Sequence, residues 1–440
     1  MKQRDILLIG LMLFSMFFGA GNLMFPPLLG AQAGTSLWLA LFGFIVTAVG
    51  LPLFVLIAIS LVKGGAQELG NRVHPRFSSA FTVIVYLSIG PFLAIPRNAN
   101  VAYEMGFKPF IDSSPLTLFI FTAIFFALVY AISLNPSKMV DYMGKWITPI
   151  LLLAMAVLCI AAFTQLHEPL QAPKAKYEAS AFFAGFIDGY STMDALASLA
   201  FGIVILTALQ QRGITDSQKL TRYTAKAGFI AGIALAAVYI ALGLLGAKMA
   251  PQGSFENGTT ILSSAASLLF GQGGNMLLGF IFTLACFTTC VGLTTACGQY
   301  FAKLVPKASY QTMALIVTLV SFGLANLGLN QILTVSVPFL VMAYPLTIVL
   351  VALAFLHRFF AGSRAVYASA MLFTGLFSLY DGLKMFGLES SILNNVTNSL
   401  PFSAAGLGWV VPAIVGVIVG IIISRFSPQP PANKKDSLAS

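Results

Sequence analysis

The chain has 440 residues, of which 58% are hydrophobic and only 9% are charged, whereas a soluble domain carries about 25% charged residues. This composition excludes a soluble globular protein and predicts a polytopic protein in a lipid bilayer. The formal net charge of +10 would suit a nucleic-acid-binding protein, but most lysines and arginines fall in alternate connecting segments, as in the cytoplasmic loops of membrane proteins. We therefore expect no nucleic-acid partner, and we place both termini in the cytoplasm.

Apolar runs of about 20 residues predict an all-α membrane protein with about twelve transmembrane helices. The spans are placed near residues 6–30, 36–62, 77–104, 115–134, 146–166, 180–211, 222–249, 274–302, 310–327, 331–356, 365–386 and 404–425. Residues 1–425 would form a single transmembrane domain. Residues 426–440, rich in Pro, Lys and Ser, are predicted to form a disordered cytoplasmic tail.

The first span carries Phe18-Gly19-Ala20-Gly21-Asn22, and Pro26 and Pro27 follow shortly after. Small residues, an amide and two prolines disfavour a continuous helix because proline has no N–H to donate. Within hydrocarbon, an unsatisfied backbone group costs several kcal/mol unless protein or a cavity supplies a partner. We therefore predict a broken helix whose freed backbone groups hold a ligand.

Arg97 stands near the outer end of the third span, behind Pro91 and Pro96. It is expected to act in gating or as a charge partner of Asp188 or Glu104. The alternative is that its side chain extends to the lipid headgroups.

The sixth span contains two carboxylates, Asp188 and Asp194, with Gly189, Tyr190 and Ser191 between them. A charge at the centre of a bilayer costs at least about 2.5–3.5 kcal/mol, so such residues usually serve a function. Residues six apart do not share a helical face. Either this helix is also broken or the two carboxylates have different partners; the alternative is that Asp188 lies in the interface and Asp194 bonds a neighbouring helix.

Spans one and six are five apart, as expected if two units of five spans have opposite topology. The first repeat would cover about residues 6–166 and the second about residues 180–356. Two extra C-terminal helices would cover about residues 365–425. Transporters built in this way place broken helices at corresponding positions of the two repeats.

The eighth span is rich in threonine. The carbonyl of Ala285 and the hydroxyls of Thr288 and Thr289 would lie on one helical face. Three neutral oxygens in a partly dehydrated site suit Na⁺. Threonine in membrane helices commonly bonds its own helix or the next one, and Thr294-Thr295 is a competing pair.

The stretch from Ser15 to Pro27, the motif from Gly90 to Arg97 and the Thr-rich eighth span resemble the bacterial branched-chain amino acid:cation symporters (BrnQ-type carriers). The resemblance covers essentially the whole chain, and it implies a location in the bacterial cytoplasmic (inner) membrane. It implies uptake of leucine, isoleucine and valine coupled to Na⁺, and a five-plus-five inverted-repeat fold with broken helices 1 and 6. It also implies that Ser15 and Phe18 carbonyls meet the two threonines around Na⁺, and that amides of the first helix take the substrate carboxylate.

The predicted sites follow from these arguments. Substrate-binding residues would be Phe18, Gly19, Ala20, Gly21, Asn22, Ile187, Gly189, Tyr190, Ser191 and Asp194, with Asp194 on the substrate ammonium or tuning a cation. The Na⁺ ligands would be Ser15, Phe18, Ala285, Thr288 and Thr289. Na⁺ is the coupling ion, no other cofactor is expected, and no obligate protein partner is implied.

Other functions are less well supported by the sequence. An enzyme is disfavoured because histidines and carboxylates do not cluster with metal-ligand or acid/base spacing. A passive channel would need polar stripes along several helices, whereas polar residues here concentrate at the predicted breaks. An H⁺-coupled carrier for another small apolar amino acid stays open as the main alternative.

Overall fold

The computed structural model describes residues 3–62, 64–112 and 114–426, and within these ranges the chain is helical and has no β-strand. The first half contains α1 Gln3–Phe17, α2 Ala20–Ala33, α3 Leu37–Ile45, α4 Leu51–Ser60, α5 Ala66–Asn71, α6 Pro75–Leu87, α7 Ala94–Gly106, α8 Pro115–Ser133 and α9 Thr148–Gln165. The second half contains α10 Ala175–Asp188, α11 Asp194–Gln210, α12 Ser217–Met249, α13 Gly258–Leu304, α14 Tyr310–Ala325, α15 Leu329–Phe355, α16 Arg364–Met385, α17 Ser391–Ser399 and α18 Val410–Phe426.

Seven helical stretches among the described residues are long and apolar enough to cross a membrane, and there are up to eight if the bent pair α10–α11 counts as one span. One of these stretches, Ala20–Ser60, contains parts of two predicted spans. The number twelve therefore stays a prediction. The helix α18 includes Phe426, and the rest of the predicted tail, residues 427–440, lies outside the described residues.

The first predicted break lies on the N-terminal side of the small residues. Helix α1 ends at Phe17, Gly19 has an extended backbone, and α2 begins at Ala20. Pro26 and Pro27 do not end α2, contrary to the simple expectation from their missing N–H groups; both lie buried inside the helix. Helix α2 is held closely against α12, since a Cβ atom at Gly30 would lie only 1.9 Å from the Gly243 carbonyl oxygen.

A second interruption separates α10 from α11. The 3₁₀ turn Gly189–Thr192 ends at Met193, which has a left-handed backbone (φ 68°), and Asp194 is the first residue of α11. The two helical arms are bent by 44°. A left-handed conformation at a residue other than Gly, Asn or Asp is costly and marks a constrained position.

A third irregularity precedes α7. The π-helical segment Ser88–Phe92 contains Pro91, and Gly90 has non-helical dihedral angles. The first two turns of α7, which follow this segment and include Arg97 and Asn98, are buried.

The described parts of the chain form two compact units. The first unit comprises the described residues within Met1–Gly65 and Val83–Leu340, and it contains all predicted site residues. The second unit comprises the described residues within Ala66–Thr82 and Val341–Ser440. Within the second unit α16 packs on α18, and the Tyr367 hydroxyl donates to the Leu353 carbonyl at 3.0 Å and accepts from Arg72 at 3.2 Å.

Candidate functional site

The N-termini of α2 and α11 meet inside the first unit. A Cβ atom at Gly21 would lie 3.1 Å from the Ser191 carbonyl oxygen and 3.2 Å from the Thr192 Cα. Both ends line one small cavity, through Gly19–Asn22 on one side and Thr192–Asp194 on the other. Helix N-termini present unpaired N–H groups and partial positive charge, so this junction favours an anionic group.

Asp194 supplies a carboxyl group to this junction and is almost fully buried. Its carboxylate accepts a hydrogen bond from Asn22 Nδ2 at 2.6 Å and another from the Tyr239 hydroxyl at 3.2 Å. Asn22 Nδ2 also contacts the Tyr239 hydroxyl. A buried carboxylate requires such donors because water no longer solvates it.

Asn22 has a second role at the start of α2. Its Oδ1 accepts the Gly19 N–H at 3.1 Å, as a residue at the third helical position does in a capping box. Asn22 therefore both caps α2 and connects it to Asp194 at the start of α11.

Helix α7 approaches the same junction from another side. Asn98 Oδ1 accepts the Ala20 N–H at 2.8 Å, and Arg97 Nη1 donates to the Ser191 carbonyl at 3.4 Å. The Arg97 guanidinium also lies within electrostatic reach of the Asp194 carboxylate. The cavity wall thus contains the buried guanidinium of Arg97 and the buried carboxyl group of Asp194.

An oxygen cluster joins α1 to α13 next to this cavity. The Thr288 hydroxyl lies 2.9 Å from the Ser15 carbonyl oxygen and 2.9 Å from that of Ala285. The Thr289 hydroxyl lies 3.5 Å from the same Ser15 oxygen. These four neutral oxygens are of the ligand type that hard cations take, and all four residues are buried.

The oxygen cluster and the cavity lie on either side of Gly19. A Cβ atom there would lie 2.6 Å from Asn98 Oδ1 and 2.9 Å from Thr289 Oγ1. Only glycine allows α2, α7 and α13 to approach this closely, because any side chain would collide with both polar groups.

The structure brings part of the predicted substrate set together. Gly19, Ala20, Gly21, Asn22 and Asp194 all line the cavity.

The other members of the predicted set do not line it. The Phe18 ring stacks on Phe14 at 5.0 Å, the Tyr190 ring packs on Phe186 at 5.8 Å, and Gly189 lies against Thr47. Ile187 belongs to α10, which packs on α3. The apolar part of the wall comes instead from Met16, Phe17, Ile89, Ala94, Met193, Ala197 and Leu293.

The expected partners of Arg97 are also different. Asp188 forms an ion pair with Lys176 at 2.5 Å and accepts a hydrogen bond from Tyr177. Glu104 pairs with Lys108 at 2.9 Å, one helical turn away. Both carboxylates therefore take a nearby lysine in place of Arg97.

Sequence profiles and relatives point to one family. The profile described as "Branched-chain amino acid transport protein" matches residues 2–427. The branched-chain amino acid permease BrnQ of Bacillus subtilis (strain 168) is 47% identical over 426 residues, covering 96% of this chain and 97% of the relative. The chain belongs to the branched-chain amino acid transport protein family. The branched-chain amino acid transport system 2 carrier protein of Pseudomonas aeruginosa is 41% identical and covers 98% of each chain.

Solved structures give the fold of this family member. The nucleobase-cation-symport-1 family transporter Mhp1, in a closed conformation with bromovinylhydantoin bound, has a TM-score of 0.65 at 14% identity and covers 99% of this chain and 95% of its own. MhsT in complex with L-phenylalanine has a TM-score of 0.57 at 16% identity and covers 95% of this chain and 98% of its own. The chain is therefore a membrane transporter with the fold of these proteins, and it is not an enzyme.

Two residues of this transporter's site were missed by sequence reasoning. Asn98 directly follows Arg97, the last residue of the Gly90–Arg97 motif, and its amide gave a signal that was not used. Tyr239 lies in the apolar part of α12, and its contact with Asn22 spans 217 residues. No local pattern indicates such a partner.

Proposed function

We propose that this protein is a secondary active symporter that imports leucine, isoleucine and valine together with Na⁺ across the bacterial cytoplasmic membrane, with both termini in the cytoplasm. The observation that carries the proposal is the meeting of two helix N-termini and Asp194 directly beside the oxygen cluster of Ser15, Thr288 and Thr289. The printed names of the relatives supply the substrate class.

The substrate would lie with its charged end at the junction of α2 and α11. The carboxylate would face the N–H groups at the start of α2, where the helix dipole favours an anion. The ammonium would bind Asp194, whose other partners are the neutral donors of Asn22 and Tyr239.

The aliphatic side chain would contact the apolar wall, which includes Met16, Ile89 and Leu293. Burying a leucine side chain contributes roughly 1.5–3 kcal/mol. One methylene changes binding by only about 1–3 kcal/mol, so all three branched-chain amino acids should be accepted.

Na⁺ would bind between α1 and α13. The hydroxyls of Thr288 and Thr289 would turn their lone pairs to the ion, and the Ser15 and Ala285 carbonyls already point into the cluster as acceptors. The Phe18 carbonyl is proposed as the further ligand because it lies in the interruption between α1 and α2.

The proposed transport cycle is alternating access in a five-plus-five inverted repeat, with the two interruptions as the broken helices 1 and 6 of about twelve spans. The likeness to Mhp1 supports this arrangement. The cavity measures about 20 Å³, which is room for about one water molecule, so leucine can enter only after the helices separate. Na⁺ drives transport if it binds one conformation better than the other.

The test is uptake of radiolabelled leucine into proteoliposomes under an imposed Na⁺ gradient. We expect leucine to accumulate above the outside concentration with Na⁺ and to remain at equilibrium with K⁺. Equal uptake with both ions would refute Na⁺ coupling, and accumulation driven by an acid-outside gradient alone would assign the coupling to H⁺ through Asp194. Uptake that never exceeds equilibrium under any gradient would indicate a passive channel.

A further inference from the structure

Two neighbouring side chains at the start of α7 reach the charged end of the substrate cavity. Arg97 and Asn98 are 4% and 3% exposed. Both line the cavity together with Ala20, Gly21 and Asp194. Burial of an arginine is costly unless specific partners stabilise it, so its place in this wall calls for a role in binding.

Asn98 occupies a position that a substrate carboxylate would need. Its Oδ1 accepts the Ala20 N–H at 2.8 Å, and its Nδ2 donates to the Ala94 carbonyl at 2.7 Å, which fixes the orientation of the amide. The Gly19 N–H is already bonded to Asn22 Oδ1. A carboxylate oxygen can therefore reach the Ala20 N–H only by replacing the oxygen of Asn98.

Arg97 lies beside that position. Its Nη2 is 3.1 Å from where a Cβ of Gly21 would be, and its Nη1 is 3.4 Å from the Ser191 carbonyl oxygen. The guanidinium thus lies between the two helix N-termini, on the same cavity as Asp194. A planar guanidinium binds a carboxylate through two parallel hydrogen bonds, and such charge-assisted bonds are about twice as strong as neutral ones.

We propose that Arg97 binds the carboxylate of the substrate, and that Asn98 holds the Ala20 N–H until that carboxylate replaces it. The inference rests on the proposed function, since it assigns the two ends of one amino-acid zwitterion to Arg97 and Asp194. The neutral bond from Ala20 to Asn98 is exchanged for a charge-assisted one, so the exchange favours the bound state. Leucine binding is then selective for a free carboxylate.

The test compares equilibrium binding of tritiated leucine and tritiated leucinamide, which lacks the carboxylate, to the purified full-length protein in detergent. In Arg97→Gln, leucine binding should weaken at least tenfold, whereas leucinamide, which carries only the ammonium, should bind as tightly as before or more tightly. Arg97→Lys should keep part of the preference, because it retains the charge without the planar fork. An arginine with only a structural role predicts that Arg97→Gln weakens the binding of both ligands equally, and that result would overturn the proposal.

Asn98 is tested by the same pair of ligands. Asn98→Asp places a fixed carboxylate on the Ala20 N–H and beside Arg97, so leucine binding should fall more than tenfold while leucinamide still binds, which also shows that the variant is folded. Asn98→Ala removes the competing acceptor and should bind leucine about two- to tenfold more tightly. Unchanged leucine binding in Asn98→Asp, or weaker leucine binding with unchanged leucinamide binding in Asn98→Ala, would contradict the proposal.

The proposed function can fail separately. A wild-type protein that binds neither ligand would refute the proposed substrate class, and the present inference with it. A wild-type protein that binds leucine and leucinamide equally would leave the transport proposal in place and overturn only the assignment of Arg97 and Asn98.

Discussion

Replacing Asp194 by asparagine removes the negative charge of the site with almost no change of shape. The two donors that reach this side chain, Asn22 Nδ2 at 2.6 Å and the Tyr239 hydroxyl at 3.2 Å, are neutral groups, and the amide oxygen of asparagine can still accept from them. The substrate ammonium, in contrast, loses its charged partner. We therefore expect the protein to fold and the leucine affinity to fall.

The expected loss follows from the type of bond. A hydrogen bond to a charged group contributes about 1.5–3 kcal/mol, which corresponds to a roughly 10- to 150-fold higher Kd for leucine at about 1.4 kcal/mol per factor of ten. 4-Methylpentanoate, which is leucine without its amino group, has no ammonium to lose. Its Kd should stay the same or fall in Asp194→Asn, because the loss of a carboxylate within electrostatic reach of Arg97 favours the carboxylate of the ligand.

The assay is competition of both ligands against radiolabelled leucine in the wild type, with direct calorimetric titration for the variant. Asp188→Asn is the matched control, because that carboxylate pairs with Lys176 and lies outside the cavity lining; its leucine Kd should stay within twofold. An Asp194→Asn protein that binds leucine as tightly as wild type would refute the assignment of the ammonium to Asp194.

Three further substitutions test neighbouring parts of the site. Thr288→Ala removes the hydroxyl between two carbonyls and should raise the Na⁺ concentration for half-maximal uptake at least tenfold. Thr318 is a buried threonine bonded to a carbonyl of its own helix, so Thr318→Ala should leave this concentration unchanged. Equal effects of the two substitutions would contradict the cation site. Gly19→Ala should abolish uptake because its Cβ collides with two polar groups. Gly323→Ala is the control and should transport normally, because its new Cβ meets no neighbouring group within 4 Å. Uptake by the Gly19 variant would show that the helices are not this close. Tyr239→Phe deletes one hydrogen bond to the buried carboxylate. A bond to a charged group contributes about 1.5–3 kcal/mol, so we expect a roughly 10- to 150-fold higher leucine Kd in equilibrium binding; an unchanged Kd would show that the hydroxyl does not support Asp194.

Local sequence patterns were sufficient for some features of this protein. Long apolar runs predict membrane helices because each one must satisfy its own backbone in hydrocarbon. The cluster of small residues at Gly19–Gly21 indicates an irregularity in the first helix, and it begins two residues after Phe17, where α1 ends. The spacing of Ala285, Thr288 and Thr289 placed their oxygens on one helical face, and the Ala285–Thr288 contact at 2.9 Å agrees with it.

Other features depend on tertiary packing and could not be read locally. Pro26 and Pro27 continue α2, although the intrinsic preference of proline is against a helix interior. The partners of Asp194 and Ala20 come from residues 172 and 78 positions away. The lysine on Asp188 is 12 positions away within α10, too far for contact along a straight helix. The two side chains can meet because α10 is kinked at Ser180, which has non-helical dihedral angles.

The central claim is that Na⁺ and a branched-chain amino acid bind to adjacent sites and favour the same state of the protein. The most direct measurement is the Kd of leucine for the purified protein in saturating NaCl and in equimolar KCl, together with the Kd of Na⁺ with and without saturating leucine. The account predicts that each ligand tightens the other by the same factor, as linkage requires, and that Thr288→Ala reduces this factor. A leucine Kd that is identical in NaCl and KCl would contradict the account.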